Sequence, residues 1–521
     1  MIMSYLAVPI SASNPDKAAE QIKAALAAGA EILELRTDYL ENLSAQMVRE
    51  LVAAARAAGS KAVPLIVTCR DKNQGGSIGY PLKLRLDVLV AALKAGAEFI
   101  DFELDNFLRI ENQERILVAL SQSRRGRLIL SAHNFSGKFD DILGLHRRIL
   151  SICPSAIPKL VYTADHINDC FGALDLLNRT GGERIALCMG EAGVITRILA
   201  KKFGGFVTFA SLAEQCATAP GQLTISELKD LYRYDAINAE TELFGVIAEP
   251  VAHSLSPAIH NAGFASLGMN RLYLPLLVQA GSAGFDSFMR NIIRRRWLNF
   301  RGLSVTIPHK HNALAFARSA GAKIEPLAEK IGAVNTLVLS AQGGIRAYNT
   351  DYAAALDAIT SAMGIARSDL KDLNVAVIGA GGVSRAIVAG LNDFGARIKI
   401  YNRTVEKAQK LAEDFGCEYA GLDELDKLDA RLIVNCTSVG MYPNVDESPL
   451  LEGCLNGEMT VFDTVYNPAE TLLLRQAKKA RARVIDGVTM FVNQAIAQFR
   501  LFTGQEADAE LARKTVMNCL S

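Results

Sequence analysis

The sequence predicts an α/β protein: an N-terminal (β/α)8 barrel, then an α/β substrate domain and a Rossmann-type dinucleotide-binding domain. Three observations predict it. Short β-rich runs alternate strictly with longer amphipathic or alanine-rich stretches from Tyr5 to about Tyr234. That alternation lapses into a polar stretch between Tyr234 and Glu242. Far downstream, the glycine-rich turn GAGGVSRA at Gly379–Ala386 follows an apolar strand and opens a helix, as a dinucleotide-binding turn must. The length of 521 residues agrees, since about 150 residues per domain implies more than one domain.

The barrel rests on eight runs, in order YLAVPIS, EILELRTD, VPLIVTCR, FIDFEL, RLILSAHN, AIPKLVYT, RIALCMG and GGFVTFA. Helical segments such as Pro15–Ala28 and Leu82–Ala95 lie between them, and TISELKDLY follows the turn-rich APGQ. Eight repeats in roughly 230 residues suit a closed parallel barrel better than the alternative, an open doubly wound sheet. The first domain is placed at 1–236. A second region, 243–521, opens with ELFGVIAEPVAHSLSP. Its substrate-binding part, 243–352, carries the runs LFGVIA, LYLPLL, GLSVTIP and NTLVLS. A nucleotide-binding part, 370–487, restarts with NVAVI and continues to IKIYNRT, and the helices of 488–521 are expected to pack back across this half.

Composition narrows the function. Half the residues are apolar, 21% are charged and only 15 are proline, so large cores can form. The 56 Lys and Arg nearly cancel the 55 Asp and Glu, leaving +1 and no global field to collect nucleic acid or an anionic membrane. Small-molecule substrates are therefore expected, with no nucleic-acid or membrane partner. Nine singly scattered cysteines without a Cys-x-x-Cys pair argue against a disulfide framework or a metal site. The chain starts in a strand-like run rather than a leader, and nowhere are 18 apolar residues contiguous, so the expected location is cytoplasmic. The oligomeric state is not readable; a monomer is compatible.

In a parallel barrel, reactive groups project from the C-terminal strand ends and the loops after them. On EILELRTD the two-residue period puts Glu34 and Arg36 on one face and Leu33 and Leu35 on the other. With the leucines against outer helices, the charges point inward, either as an internal ion pair or as ligand contacts. Arg70 closes VPLIVTCR, His133 closes RLILSAHN, and Lys159 lies inside AIPKLVYT. A lysine alone in an apolar strand is desolvated, which lowers its pKa and makes the amine nucleophilic, suited to a Schiff base with a ketone. His133, unperturbed near about pH 6.5, moves protons at neutral pH; taken singly it is equally a satisfied core histidine.

The ordered set ELRTD, TCR, SAHN, PKL, MGEAGVITR and APGQ resembles type I 3-dehydroquinate dehydratase over about 230 residues. The resemblance implies Lys159 as the imine-forming residue and His133 as acid and base. It also implies that Glu34, Arg36, Arg70, Arg197, Thr218 and Gln222 hold the substrate hydroxyls and carboxylate. Arg197 suits the carboxylate, which a planar guanidinium grips through two parallel hydrogen bonds. One position departs from the family: Gln74 stands where a glutamate usually orients the histidine. An amide is expected to orient His133 without raising its pKa, giving a shifted pH profile.

In the second region, Gly379, Ala380, Gly381, Gly382 and Val383 form the turn expected to bring backbone to a pyrophosphate, although Ser384 replaces the third glycine of the common fingerprint. IKIYNRT ends in Asn402, Arg403 and Thr404, with no acidic residue for ribose hydroxyls; a cation and a hydroxyl there suit a 2'-phosphate, hence NADP. Hydroxyls and amides dominate the remaining strand ends. HSLSP holds Ser254 and Ser256, SVTIPHK holds Thr306 and Lys310, and GAVN ends in Asn335. YNTD holds Asp351, VFDTVYNP holds Tyr466 and DGVTMFVNQA holds Gln494. This is a surface for a small polyol, with Lys310 and Asp351 as its acid/base candidates or as a structural ion pair.

These motifs resemble shikimate dehydrogenase over roughly 243–521. The resemblance implies Ser254 and Ser256 on the substrate carboxylate and Thr306, Asn335, Tyr466 and Gln494 on the ring substituents. Lys310 and Asp351 would handle the proton that accompanies hydride transfer. Gly487 and Met490 would lie on the nicotinamide side, and Asn402, Arg403, Thr404 and Lys407 on the adenosine side. The product of the first reaction is the substrate of the second, so the whole resembles the dehydratase–dehydrogenase fusions of plants. Alternatives are a quinate-preferring second half, a Schiff-base aldolase barrel, and a metabolite sensor built on retired enzyme domains.

Overall fold

Each of the eight apolar runs forms a strand. They are β1 (Tyr5–Ile10), β2 (Ile32–Arg36), β3 (Leu65–Thr68), β4 (Phe99–Glu103), β5 (Arg127–Asn134), β6 (Ile157–Thr163), β7 (Ile185–Met189) and β8 (Val207–Phe209). The structure, a computed structural model, describes residues 4–58, 63–252 and 254–520. The strands pair in parallel in the order β7-β6-β5-β4-β3-β2-β1-β8, so the first and last meet. The predicted barrel is borne out, with one seam, between β7 and β8, that carries no ladder among the described residues.

The two-residue strand period explains where the polar residues stand. Ala7, Ile32, Ile66, Phe99, Ile129, Ile157, Ile185 and Val207, one from each strand, join a single apolar cluster. Two residues further along five of those strands come Glu34, Thr68, Asp101, Ser131 and Lys159, all buried. An apolar plug at the N-terminal end thus passes upward into a polar layer. Leu33 and Leu35, on the opposite face, are fully buried as well.

The chain divides into two compact units, one of residues up to Thr241 together with Leu276–Gln279, the other of Glu242–Pro275 and the residues from Ala280 onward. The second unit holds two sheets. The first comprises β9 (Glu242–Ala248), β10 (Arg271–Leu277), β11 (Phe300–Val305), β12 (Lys323–Ile324), β13 (Thr336–Leu339) and β14 (Ile345–Tyr348), in the mixed order β10-β9-β11-β13-β14-β12. The other comprises β15 (Asn374–Ile378), β16 (Arg397–Tyr401), β17 (Glu418–Ala420), β18 (Leu432–Asn435), β19 (Thr460–Asp463) and β20 (Arg483–Ile485). All its ladders are parallel, in the order β17-β16-β15-β18-β19-β20. That order reverses between β15 and β18, the switch point where doubly wound sheets bind nucleotides.

Helix Gly487–Thr503 joins the sheets. It packs on helix Thr350–Met363, and its Gln498 Nε2 donates to Asn335 O at 3.3 Å and Thr336 Oγ1 at 3.0 Å. No helix among the described residues is long and apolar enough to cross a membrane.

Candidate functional site

The eight residues singled out in the barrel, Glu34, Arg36, Arg70, His133, Lys159, Arg197, Thr218 and Gln222, all line one cavity of about 90 Å3, with Gln74, Phe135 and Phe209 beside them. Lys159 Nζ donates to Asp101 Oδ2 at 2.7 Å, lies 3.9 Å from Glu34 Oε1 and stands 4.5 Å over the Phe209 ring. The expectation of a solitary amine is therefore corrected: Lys159 is buried but has a carboxylate partner, supplied by β4 from beyond the intervening β5. Burial opposes ionisation of Asp101, but Arg70 and Lys159 outweigh it and hold the carboxyl far below its usual range.

The three guanidiniums differ. Arg70 is committed to the protein, donating to Asp101 at 2.7 Å, Glu103 at 3.0 Å and Ser131 at 2.8 Å. Arg36 makes a two-pronged pair with Asp38 at 2.9 and 2.8 Å, while Glu34 accepts from Thr68 Oγ1 at 2.8 Å; the inward ion pair thus joins Arg36 to Asp38, not to Glu34. Arg197 is only 2% exposed and its side chain makes no hydrogen bond or ion pair among the described residues. Burial pulls it down to about 10. A buried cation without a counter-charge is costly, and an anionic ligand would supply what is missing.

Burial first, then Arg70 and Lys159, push the His133 imidazole well below its usual 6.5, correcting the expectation of an unperturbed group. Its Nδ1 lies 3.2 Å from Gln74 Oε1. Across the cavity, Gln222 Oε1 accepts from both the backbone N–H and the hydroxyl of Thr218, at 2.8 and 3.2 Å. This APGQ loop docks on the loop after β7. A Cβ at Gly221, where φ is +71°, would sit 2.2 Å from Gly190 O, so only glycine permits the approach.

In the second unit, Ser254, Ser256, Thr306, Lys310, Asn335, Asp351, Tyr466 and Gln494 line a cavity of about 280 Å3, with Val383, Gly487 and Met490. That is small-metabolite scale. Lys310 Nζ donates to Asp351 Oδ2 at 2.6 Å, and Asn335 Nδ2 donates to Asp351 Oδ1 at 2.9 Å. Asp351 begins helix Thr350–Met363, capped by Asn349, which fixes its direction. Tyr466 stacks on Phe491 at 4.9 Å. At Gly487 a Cβ would meet Val465 O at 2.3 Å, so the helix can start against the strand end only without a side chain.

Gly379, Ala380, Gly381 and Gly382 follow β15 at the switch point, and Cβ atoms built on Gly381 and Gly382 would meet nothing within 4 Å. Ser384, in place of the third glycine, accepts from the Gly381 N–H at 3.2 Å. Asn402 Nδ2 donates to Thr404 O at 2.8 Å, holding the turn after β16. Arg403 and Lys407 there are exposed, with no carboxylate partner among the described residues. Open glycine backbone and unpaired cations at the next strand end fit NADP, whose 2'-phosphate needs positive charge.

Sequence reasoning missed several residues that organise these cavities. Asp101 and Glu103 were visible as acids in an apolar strand, FIDFEL, but their pairing with Lys159 and Arg70 needed the barrel register. Ser304 and Gln498 line the second cavity, and a buried chain runs from Tyr273 OH to Ser304 Oγ at 2.6 Å and on to Gln498 Oε1 at 2.7 Å. Its members lie 31 and 194 residues apart, beyond any local pattern.

Comparison with known proteins matches these regions one by one. Residues 6–239 match the model for type I 3-dehydroquinase, and 246–337 that for the shikimate dehydrogenase substrate binding domain. Residues 361–455 match shikimate / quinate 5-dehydrogenase, and 487–517 the shikimate 5'-dehydrogenase C-terminal domain. The chain is 35% identical over 98% of its length to a bifunctional 3-dehydroquinate dehydratase/shikimate dehydrogenase, chloroplastic, of Arabidopsis thaliana, covering 83% of that protein. The shikimate dehydrogenase (NADP(+)) of Methanosarcina acetivorans is 42% identical over 53% of the chain and 98% of its own length. A crystal structure of shikimate dehydrogenase in complex with NADP+ superposes with a TM-score of 0.50 at 35% identity, covering 55% of this chain and 98% of its own.

Proposed function

Because the chain belongs to the bifunctional 3-dehydroquinate dehydratase/shikimate dehydrogenase family, we propose that its two cavities carry out the two consecutive steps. Residues 1–236 dehydrate 3-dehydroquinate to 3-dehydroshikimate, and residues 243–521 reduce that ketone to shikimate with NADPH. Within the latter, 243–352 bind substrate, 370–487 bind NADP and 488–521 pack back.

In the first step Lys159 condenses with the substrate ketone, releasing water and forming an imine. The protonated imine is a better electron sink than the carbonyl, so His133 can remove the adjacent proton. The same imidazole returns a proton to the departing hydroxyl, and hydrolysis frees Lys159. Glu34, Arg36, Arg70, Thr218 and Gln222 orient the hydroxyls, and Arg197 takes the carboxylate. The unpartnered burial of Arg197 beside Lys159 and His133 carries this reading.

In the second step Ser254 and Ser256 hold the carboxylate, while Thr306, Asn335, Tyr466 and Gln494 hold the ring. NADPH supplies the hydride. Lys310, oriented by Asp351, stabilises the developing alkoxide and passes it a proton. Gly487 and Met490 flank the nicotinamide side, Gly379–Val383 the pyrophosphate, and Asn402, Arg403, Thr404 and Lys407 the adenosine phosphate. The nine thiols, four of them buried in the first unit, suit a reducing compartment, which supports a cytoplasmic location. Substrates are small molecules throughout.

The test feeds dehydroquinate and NADPH to the full chain and follows enone formation and NADPH loss together. Borohydride is expected to trap a mass adduct that Lys159→Ala abolishes. An undiminished adduct in that variant would move the nucleophile elsewhere.

A further inference from the structure

The residue that departs from the family pattern sits in a bridge that reaches beyond the cavity. Gln74 Oε1 faces His133 Nδ1 at 3.2 Å, and Gln74 Nε2 donates to Asp105 Oδ2 at 3.4 Å. A carboxylate only accepts, so it selects the NH2 end of the amide, and the carbonyl end is left for the ring. A carbonyl also only accepts. The proton on His133 must then be on Nδ1, which leaves Nε2 with its lone pair.

We propose that Asp105 is a positioning residue of the dehydratase: acting through the Gln74 amide, it locks His133 in the Nδ1–H tautomer with Nε2 as the proton acceptor. The mechanistic consequence rests on the dehydratase reading, whereas the tautomer itself does not.

The bridge is held in a common frame. Gln74 ends the short helix Lys72–Gln74, whose cap Asp71 accepts from Asn73 N at 2.9 Å. Asp71 Oδ2 also accepts from Arg85 at 2.7 Å and from Asn106 Nδ2 at 3.2 Å, and its backbone N–H donates to Glu103 at 2.9 Å. Asn106 is the neighbour of Asp105 on helix Leu104–Phe107. The loop carrying the amide is therefore pinned to the helix carrying the carboxylate.

The charges facing His133 come from four strands: Arg36 at the end of β2, Arg70 after β3, Asp101 on β4 and Lys159 on β6, while Phe135 stacks on the ring at 6.3 Å. Three cations against one carboxylate disfavour an imidazolium. A glutamate at 74 would add a second carboxylate, whereas the amide adds orientation without charge. Once His133 has taken the substrate proton, the same cations favour its return to the leaving hydroxyl.

The experiment uses the full chain labelled with 15N-histidine and reads tautomers from two-bond proton–nitrogen correlations. His133→Asn identifies the signal among the seven histidines. Wild type and Asp105→Asn, whose amide oxygen can still accept from Gln74, are expected to show Nδ1–H. Asp105→Ala is expected to shift the tautomer ratio about fivefold and to lower the dehydratase kcat by a similar factor with KM unchanged. Gln74→Glu should keep the tautomer and raise the acid limb of the kcat/KM profile by about one pH unit. NADPH oxidation with dehydroshikimate, unchanged in every variant, reports an intact chain. An Nε2–H signal in wild type, or an Asp105→Ala protein with unaltered tautomer and kcat, overturns the proposal. Absence of dehydration in a wild type that shows Nδ1–H would instead overturn the dehydratase reading and leave the positioning intact.

Discussion

Replacing Arg197 by methionine separates ligand binding from stability, because the two should move in opposite directions. The guanidinium is 2% exposed, and burial pulls it from its ordinary value down to about 10. At about 1.4 kcal/mol per pKa unit, the ligand-free barrel carries roughly 3 kcal/mol of desolvation at this residue. Methionine keeps the length without the charge, so Arg197→Met should stabilise the ligand-free barrel by about 1–3 kcal/mol. In a unit of this size each kcal/mol raises Tm by about 2–4 °C. The same change should cost dehydroquinate about 2–5 kcal/mol of binding, roughly 30-fold to several thousand-fold. Scanning calorimetry of the full chain, with and without dehydroquinate, follows the barrel transition. Wild type at about 100 times Kd gains about 2.7 kcal/mol from ligand, and the variant should gain almost none. A variant less stable than wild type without ligand, or one that keeps the ligand-induced rise, would refute the reasoning.

Three further outcomes are expected. His260 is fully buried among Phe264, Tyr273, Phe499 and Phe502; burial, only partly offset by the nearby Gln498 side chain, holds it down to about 3. The unfolded chain takes up a proton below about 6.5 that the folded unit refuses until about 3. Stability is therefore lost as pH falls through that window, by an amount approaching about 5 kcal/mol, and His260→Phe should move the acid-unfolding midpoint of the dehydrogenase unit downward. Lys310→Met should lower the dehydrogenase kcat by about two to three orders of magnitude and leave dehydration unchanged, read by the two chromophores in one sample. Arg403→Asp should raise the KM for NADPH by about 10- to 100-fold with little effect on NADH, measured as initial rates with each cofactor.

Much of the fold was legible because the signal is local. Each barrel strand is a short apolar run between helical stretches, and strand period alone put Glu34 and Arg36 on one face of β2 and Leu33 and Leu35 on the other. β12, two residues long, and β14, half exposed, carry too few buried side chains to leave a pattern. The cavities are another matter. Chemistry-bearing side chains on strands can be found one at a time, which is how His133 and Lys159 were reached; Arg197, inside helix Val194–Leu199, came only from the family resemblance. Their partners depend on which strands are neighbours: Ser131 faces Lys159 across the β5–β6 ladder, and Asp101 comes from β4. The environment followed from those partners, so the isolation of Lys159 and the charge state of His133 were misjudged while their positions were not.

The pairing of β1 with β8 ties Tyr5–Ala7 to Val207–Phe209, roughly 200 residues later. Contacts so distant in sequence form late, since the intervening chain must first give up its freedom. On a ribosome adding about 5–20 residues per second, the opening strand waits on the order of 10 to 40 s for its second neighbour. Throughout that interval YLAVPI is an apolar edge, the kind of surface that recruits other nascent chains. Pro9, which lacks an N–H to offer, blunts that edge. Circular permutants that bring β8 next to β1 in the chain should fold sooner and depend less on chaperones.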